Sequence, residues 1–197
     1  MSIKLRTVDD FMKEHPEPRF QKKEDVLAWA LRGYAKLIVT DGERSDESIW
    51  REHRDWIEDV PRKWPGGFKD ADGQMDFYVL KITQDEFEDK IGINKVLEAE
   101  PEHVDLDIRG VMSDDSYVPK RIMNAAAESK KLKLDSINVG YIADFDMDAV
   151  RALLCKEGLQ SLSAEGCYVE GGEQGTSFED QVFAENGGRY EIKSARL

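Results

Sequence analysis

Three aspartates stand at alternate positions in YIADFDMDAVRALL, at Asp144, Asp146 and Asp148. Carboxylates spaced by two share one face of a strand, and a pair at a strand end can hold a divalent cation such as Mg²⁺. Asp144 and Asp146 are therefore a candidate metal pair. The same residues also suit a simpler role. Asp146 can cap a helix whose core face is Val150, Leu153 and Leu154, while Asp148 falls in its first turn, where a negative charge meets the positive end of the helix dipole. Capping needs no ion, and it is the reading adopted; no cofactor is expected.

A second set lies in DQVFAENGGRYEIKS. Asp180 sits on one expected strand and Glu191 and Lys193 on the next, with Asn186-Gly187 suited to the turn between them. Alternation puts Glu191 and Lys193 on one face. The arrangement resembles the D…(D/E)-x-K signature of the restriction-endonuclease-like nucleases. That resemblance implies two carboxylates on Mg²⁺, a lysine that helps position the attacking water, and a metal-dependent nuclease or phosphodiesterase. Asp144 and Asp146 after an apolar run faintly resemble the nucleophile motif of haloacid-dehalogenase-like phosphatases. His53-Arg54-Asp55 resembles the catalytic loop of protein kinases, but Val60 stands where that loop needs an asparagine. His53 shares a helical face with Ile49, Trp56 and Ile57 and is read as a core or interface histidine. His15 and His103 lie far from it in sequence, and no zinc site is expected.

Charge weighs against nucleic-acid chemistry. The 197 residues carry a formal charge of -13, and a polyanion is repelled by phosphate backbones unless it has a basic patch or a metal. The span Glu157 to Glu185 holds seven acids and no Lys or Arg, where a nuclease needs a basic groove. A second acidic block contains Asp85, Glu86, Glu88, Asp89, Glu98, Glu100, Glu102, Asp105 and Asp107 against Lys90 and Lys95, a net of -7. Gathered on one surface, such carboxylates could imitate a row of phosphates and occupy the cleft of a nucleic-acid-binding enzyme. One basic cluster (Lys120, Arg121, Lys130, Lys131, Lys133) flanks a single expected helix.

The elements that must carry these residues follow from periodicity and punctuation. Thr7 with Asp10 three residues on resembles a capping box and opens a short helix to about Lys13. Apolar side chains at Val26, Leu27, Ala30, Leu31, Tyr34, Leu37 and Ile38 predict one amphipathic helix from Lys23 to about Val39. Ser45 can cap a helix carrying Ile49, His53, Trp56, Ile57 and Val60. Pro61 to Gly67 is the best linker candidate. Beyond it come a strand from Met75 to Thr83, an acidic helix opened by Thr83 and Glu86, and a half-buried strand around Val104, Leu106 and Ile108. A helix then follows from Pro119, with strands over 137–145 and 162–169 on either side of a helix over 147–157, and finally the terminal hairpin.

Helices first and strands later predict an α+β chain: a helical N-terminal segment over 1–65, packed beside a mixed, largely antiparallel sheet with interleaved helices and a C-terminal β-hairpin over 66–197. No apolar run approaches the roughly 18 residues a membrane span needs. The opening MSIKLRTVDDF lacks the apolar stretch of a secretion signal, and Cys155 and Cys167 are most simply read as reduced thiols, with a single bridge between them as the alternative. These features predict a cytoplasmic, non-catalytic acidic protein that inhibits or regulates a basic, nucleic-acid-handling protein partner. Phage- or plasmid-encoded counter-defence proteins and toxin immunity proteins work in this way. Direct nucleic-acid binding is not expected.

Overall fold

The protein is described here by a computed structural model, which describes residues 2–42, 44–58, 68–69, 71–139, 147–163 and 189–191. The chain forms two compact units, Met1–Ala99 with Gly110–Asp115, and Glu100–Arg109 with Ser116–Leu197.

Unit 1 begins with strand β1 (Ser2–Thr7), helix α1 (Val8–Glu14) and helix α2 (Lys23–Trp29), which runs on through a π-helical turn over Ala30–Tyr34. Strand β2 (Lys36–Thr40), helix α3 (Asp46–Glu58), the short β3 (Phe68–Lys69) and the long β4 (Met75–Thr83) follow. A π-helical segment (Asp85–Ile91) leads to helix α4 (Ile93–Glu98). After β5 (Val104–Asp107) in unit 2, the chain returns for β6 (Val111–Ser113). The strands stand in the order β1-β4-β2-β6, all parallel; only β3 runs antiparallel, against the start of β4.

Helices cover both faces of this sheet. Tyr78 and Val79 are consecutive in β4 and so point to opposite faces. On the Tyr78 side, Phe11 of α1 meets the Tyr78 ring edge-on at 5.0 Å, and Phe20, Trp29 and Phe68 close an aromatic cluster around it. Helix α4 packs on α2. On the Val79 side, Ile49 and Ile57 of α3 are fully buried against Leu5, Ile38 and Val79. Burying each such side chain contributes about 1.5–3 kcal/mol. The connection from β1 to β2 steps over β4 by way of α1 and α2, whereas the connection from β2 steps back to β4 by way of α3. A single crossover hand requires opposite directions to use opposite faces.

Unit 2 carries β5, helix α5 (Val118–Glu128), β7 (Leu134–Asn138), helix α6 (Met147–Leu154), β8 (Ser161–Ser163) and β9 (Arg189–Glu191). Strands β5, β7 and β8 are parallel, and β9 pairs antiparallel with β8. Helices α5 and α6 pack on each other.

The expected mixed, largely antiparallel sheet is thus corrected: both sheets are parallel at heart, an α/β arrangement with helices between strands. The N-terminal segment is not wholly helical either. Ser2–Thr7 is a strand, and the helix expected to reach Val39 stops where Gly33 adopts φ +86°. All five residues of β2 are buried. A strand covered on both faces has no reason to alternate, so its apolar run continued the helical spacing of Val26 to Tyr34. The half-buried strand around Val104, Leu106 and Ile108 is shorter than expected, ending at Asp107. The linker candidate Pro61–Gly67 lies outside the described residues.

Candidate functional site

The parallel strands of unit 1 all end in a hydroxyl residue that engages the turn beyond it. Thr7 at the end of β1 accepts from the Asp10 amide at 3.0 Å and donates to its carboxylate at 2.8 Å. Thr40 at the end of β2 donates to the Gly42 carbonyl at 2.6 Å. Thr83 at the end of β4 accepts from the Glu86 amide at 3.3 Å, and Ser113 at the end of β6 from the Asp115 amide at 3.2 Å. Each hydroxyl satisfies a backbone group that the strand ladder leaves open, which fixes where the chain turns.

The turns set charged side chains along this carboxyl edge. Lys81 of β4, on the α3 side, donates to the Asp46 carboxylate at 2.5 Å and to the Arg44 carbonyl at 3.4 Å. Lys23 bridges Asp9 (2.8 Å) and Glu86. Burial alone would depress the Lys23 ammonium, but its hydrogen bonds to the two carboxylates outweigh it and hold the group above its ordinary range. Arg44 bonds Glu52, Asp114 (2.7 Å) and the Ser48 hydroxyl (3.3 Å); Glu52 leads in holding its guanidinium charged. Asp114 also accepts from the Asp41 amide at 3.2 Å, and the Asp115 carboxylate accepts from the Gln84 amide nitrogen at 3.2 Å.

Two crevices open on this edge. One, of about 310 Å³, is lined by Thr7, Asp9, Thr40, Arg44, Lys81, Thr83 and Glu86, among others. The other, of about 400 Å³, is lined by Arg6, Thr7, Asp10, Lys13, Glu14, Asp46 and Lys81, with Leu5. Thr7 and Lys81 border both. Strands β2 and β4 are neighbours here, and their outgoing connections leave to opposite faces of the sheet. Open parallel sheets bind ligands at such a switch point, beyond the carboxyl ends of the strands.

A third grouping lies beside Arg44. Ligand atoms of Glu52, His53 and Asp114 are all within 4.8 Å of one another. Consecutive helical side chains diverge by about 100°, but α3 leaves helical dihedrals at His53 (φ -114°, ψ 19°) and both Glu52 and His53 reach Asp114.

The residues singled out by sequence fall elsewhere. Asp144, Asp146, Asp180 and Lys193 lie outside the described residues, and Glu191 is described only as part of β9. The acidic block is divided between the units: Asp85, Glu86, Glu88, Asp89 and Glu98 belong to unit 1, and Glu100, Glu102, Asp105 and Asp107 to unit 2. Several of its carboxylates have a cation at hand. Asp85 pairs with Lys90 at 2.6 Å, Glu86 with Lys23, Glu102 with Lys133 at 3.1 Å, and Asp107 with Arg109 at 2.7 Å. No described helix is long and apolar enough to cross a membrane.

Sequence reasoning missed Arg44, Asp46, Lys81 and Asp114. One signal was present. The strand ends read Thr7-Val8-Asp9-Asp10, Thr40-Asp41-Gly42, Thr83-Gln84-Asp85-Glu86 and Ser113-Asp114-Asp115, each a hydroxyl residue followed at once or one place later by an acid. A repeated ending of this kind marks a shared edge. No protein-family model, curated protein or solved structure matches the chain.

Proposed function

We propose that unit 1 binds a small polar molecule of zero net charge, zwitterionic or uncharged, at the carboxyl edge of its parallel sheet. The observation that carries this is charge balance at the switch point. The charged residues lining the first crevice are Asp9 and Glu86 against Arg44 and Lys81; in the second, Asp10, Glu14 and Asp46 stand against Arg6, Lys13 and Lys81. Most of these charges already bond one another or a near neighbour, as Lys81 does Asp46, Arg6 does Glu14 and Lys13 does Asp10. A net anion or cation meets charges that are already matched and gains little by displacing one member of a partly solvated pair. A zwitterion exchanges both members at once, and a polyol meets the rim hydroxyls without breaking a pair.

Thermal shift across a panel of amino acids, polyols and nucleosides, set beside mono- and dianions of equal size, tests the reading. At least one neutral or zwitterionic compound is expected to raise Tm in proportion to concentration. Lys81→Met, with its fold checked by circular dichroism, is expected to abolish the effect. Binding confined to ions of one sign, or unchanged in Lys81→Met, overturns the reading.

The charge of -13 supports a separate proposal, a basic, nucleic-acid-handling protein partner. Capture of such a partner that weakens steeply between low and high salt is its test; capture indifferent to salt removes it.

A further inference from the structure

We propose that Glu52, His53 and Asp114 form a binding site for a divalent transition-metal ion such as Zn²⁺, with Arg44 occupying the carboxylates when the ion is absent. The inference does not rest on the crevice reading, although Arg44 also borders the first crevice.

The donor set is one imidazole nitrogen and two carboxylates, a combination that suits zinc with a coordination position left open. The ligand atoms lie within 4.8 Å of one another, and tetrahedral bonds near 2.0–2.1 Å would bring them to roughly 3.4 Å apart. Side-chain rotation of Glu52 and Asp114 would have to supply that contraction. Two further observations point to a ligand. The His53 side chain is 13% exposed, yet its Nε2 is fully enclosed and has no hydrogen-bond partner. The nearest carboxylate oxygen, Glu52 Oε1, is 3.8 Å away, beyond hydrogen-bond reach. An enclosed nitrogen with no partner is costly, and a metal bond would relieve it. Asp114 is exposed as a residue, but its side chain is only 17% exposed, so its carboxylate is turned inward.

The second observation is the guanidinium. Arg44 bonds Glu52 through Nη2 and Asp114 through Nη1. One cation thus already bridges the two carboxylates that would hold the ion. Arg44 and the metal compete for the same oxygens, so Arg44 must swing aside on binding. Because Arg44 competes for these oxygens, removing its positive charge should tighten metal binding.

The test uses the full chain, stripped with chelator and titrated with Zn²⁺ by calorimetry and with Co²⁺ by visible absorption. One ion per chain is expected, with the Co²⁺ spectrum of a low-coordinate nitrogen and oxygen site. His53→Ala should weaken binding by about tenfold or more and lose that spectrum. Glu52→Gln, on an exposed residue, should weaken binding likewise and guards against misfolding of the histidine variant. Arg44→Met should tighten it. Absence of stoichiometric binding, affinity unaltered in both His53→Ala and Glu52→Gln, or weaker binding in Arg44→Met overturns the proposal.

Discussion

Thr40 ends β2 in register with Thr83 at the end of β4, and each hydroxyl bonds within the turn that follows its own strand. Thr7 does the same for α1, where its Oγ1 accepts from the Asp10 amide. These contacts join backbone turning to the placement of Lys81, Asp9 and Glu86. Thr7→Ala should therefore cost about 1 kcal/mol, the usual value of a lost helix cap, and Thr7→Ser should keep most of it. Urea unfolding with an unchanged m-value is the measurement.

Gly33 separates the helical stretch from β2 at φ +86°, a conformation that costs an L-residue roughly 1–2 kcal/mol. Gly33→Ala is expected to destabilise by about that amount, read as a lower denaturation midpoint. A variant at least as stable as the parent would mean that the turn relaxes elsewhere.

Gly33 also explains what could and could not be read in advance. The Thr7 cap, the Ser45 cap with helix α3, and the Met75–Thr83 strand are local, and each matches its expected element. Leu37 and Ile38 continue the spacing of Val26 and Tyr34, so β2 looked helical until its burial on both faces was known. Ser2–Thr7 carries too short a pattern to declare itself, yet pairs along its whole length with β4. Parallel pairing in unit 1 depends on partners far along the chain, as Lys36 pairs with Val79 and Ser2 with Asp76, which no local period encodes. The candidate site failed for the same reason. Lys81 and Asp46 are 35 residues apart, Arg44 and Asp114 are 70 apart, and only the crossovers bring them to one edge.

Asp76 is buried at the start of β4, where Lys4 lies 2.5 Å away and the Ser2 hydroxyl donates at 2.5 Å. Lys4 first, then Ser2, hold its carboxyl below the usual value of 3.8. A lowered folded pKa means that the folded state binds this proton less readily than the unfolded chain. The stabilisation is complete above that usual value and drains away as pH falls through the folded one. Asp76→Asn should lower stability at neutral pH and flatten the acid limb of the stability profile, measured by urea midpoints from about pH 6 downward. An acid limb as steep as that of the parent would rule Asp76 out as a contributor.

Ile57 is fully buried where α3 meets Leu5, Ile38 and Val79. Ile57→Ala should cost about 2–5 kcal/mol through lost burial and the cavity left behind. Because α3 also carries Glu52 and His53, the same variant should weaken Zn²⁺ binding at the proposed site. Calorimetry at a temperature where the variant remains folded separates the two effects.

Strand β6 has a consequence for anyone dissecting the molecule. The polypeptide passes between the two units after Ala99, after Arg109 and after Asp115, so no single scissile point separates them. A fragment ending at Ala99 would forfeit β6 and Asp114 and bare the flank of β2, whose five residues are all covered in the intact sheet; such an uncapped apolar border invites self-association. Producing unit 1 in isolation calls for a graft that joins Ala99 to Gly110 through a linker in place of Glu100–Arg109.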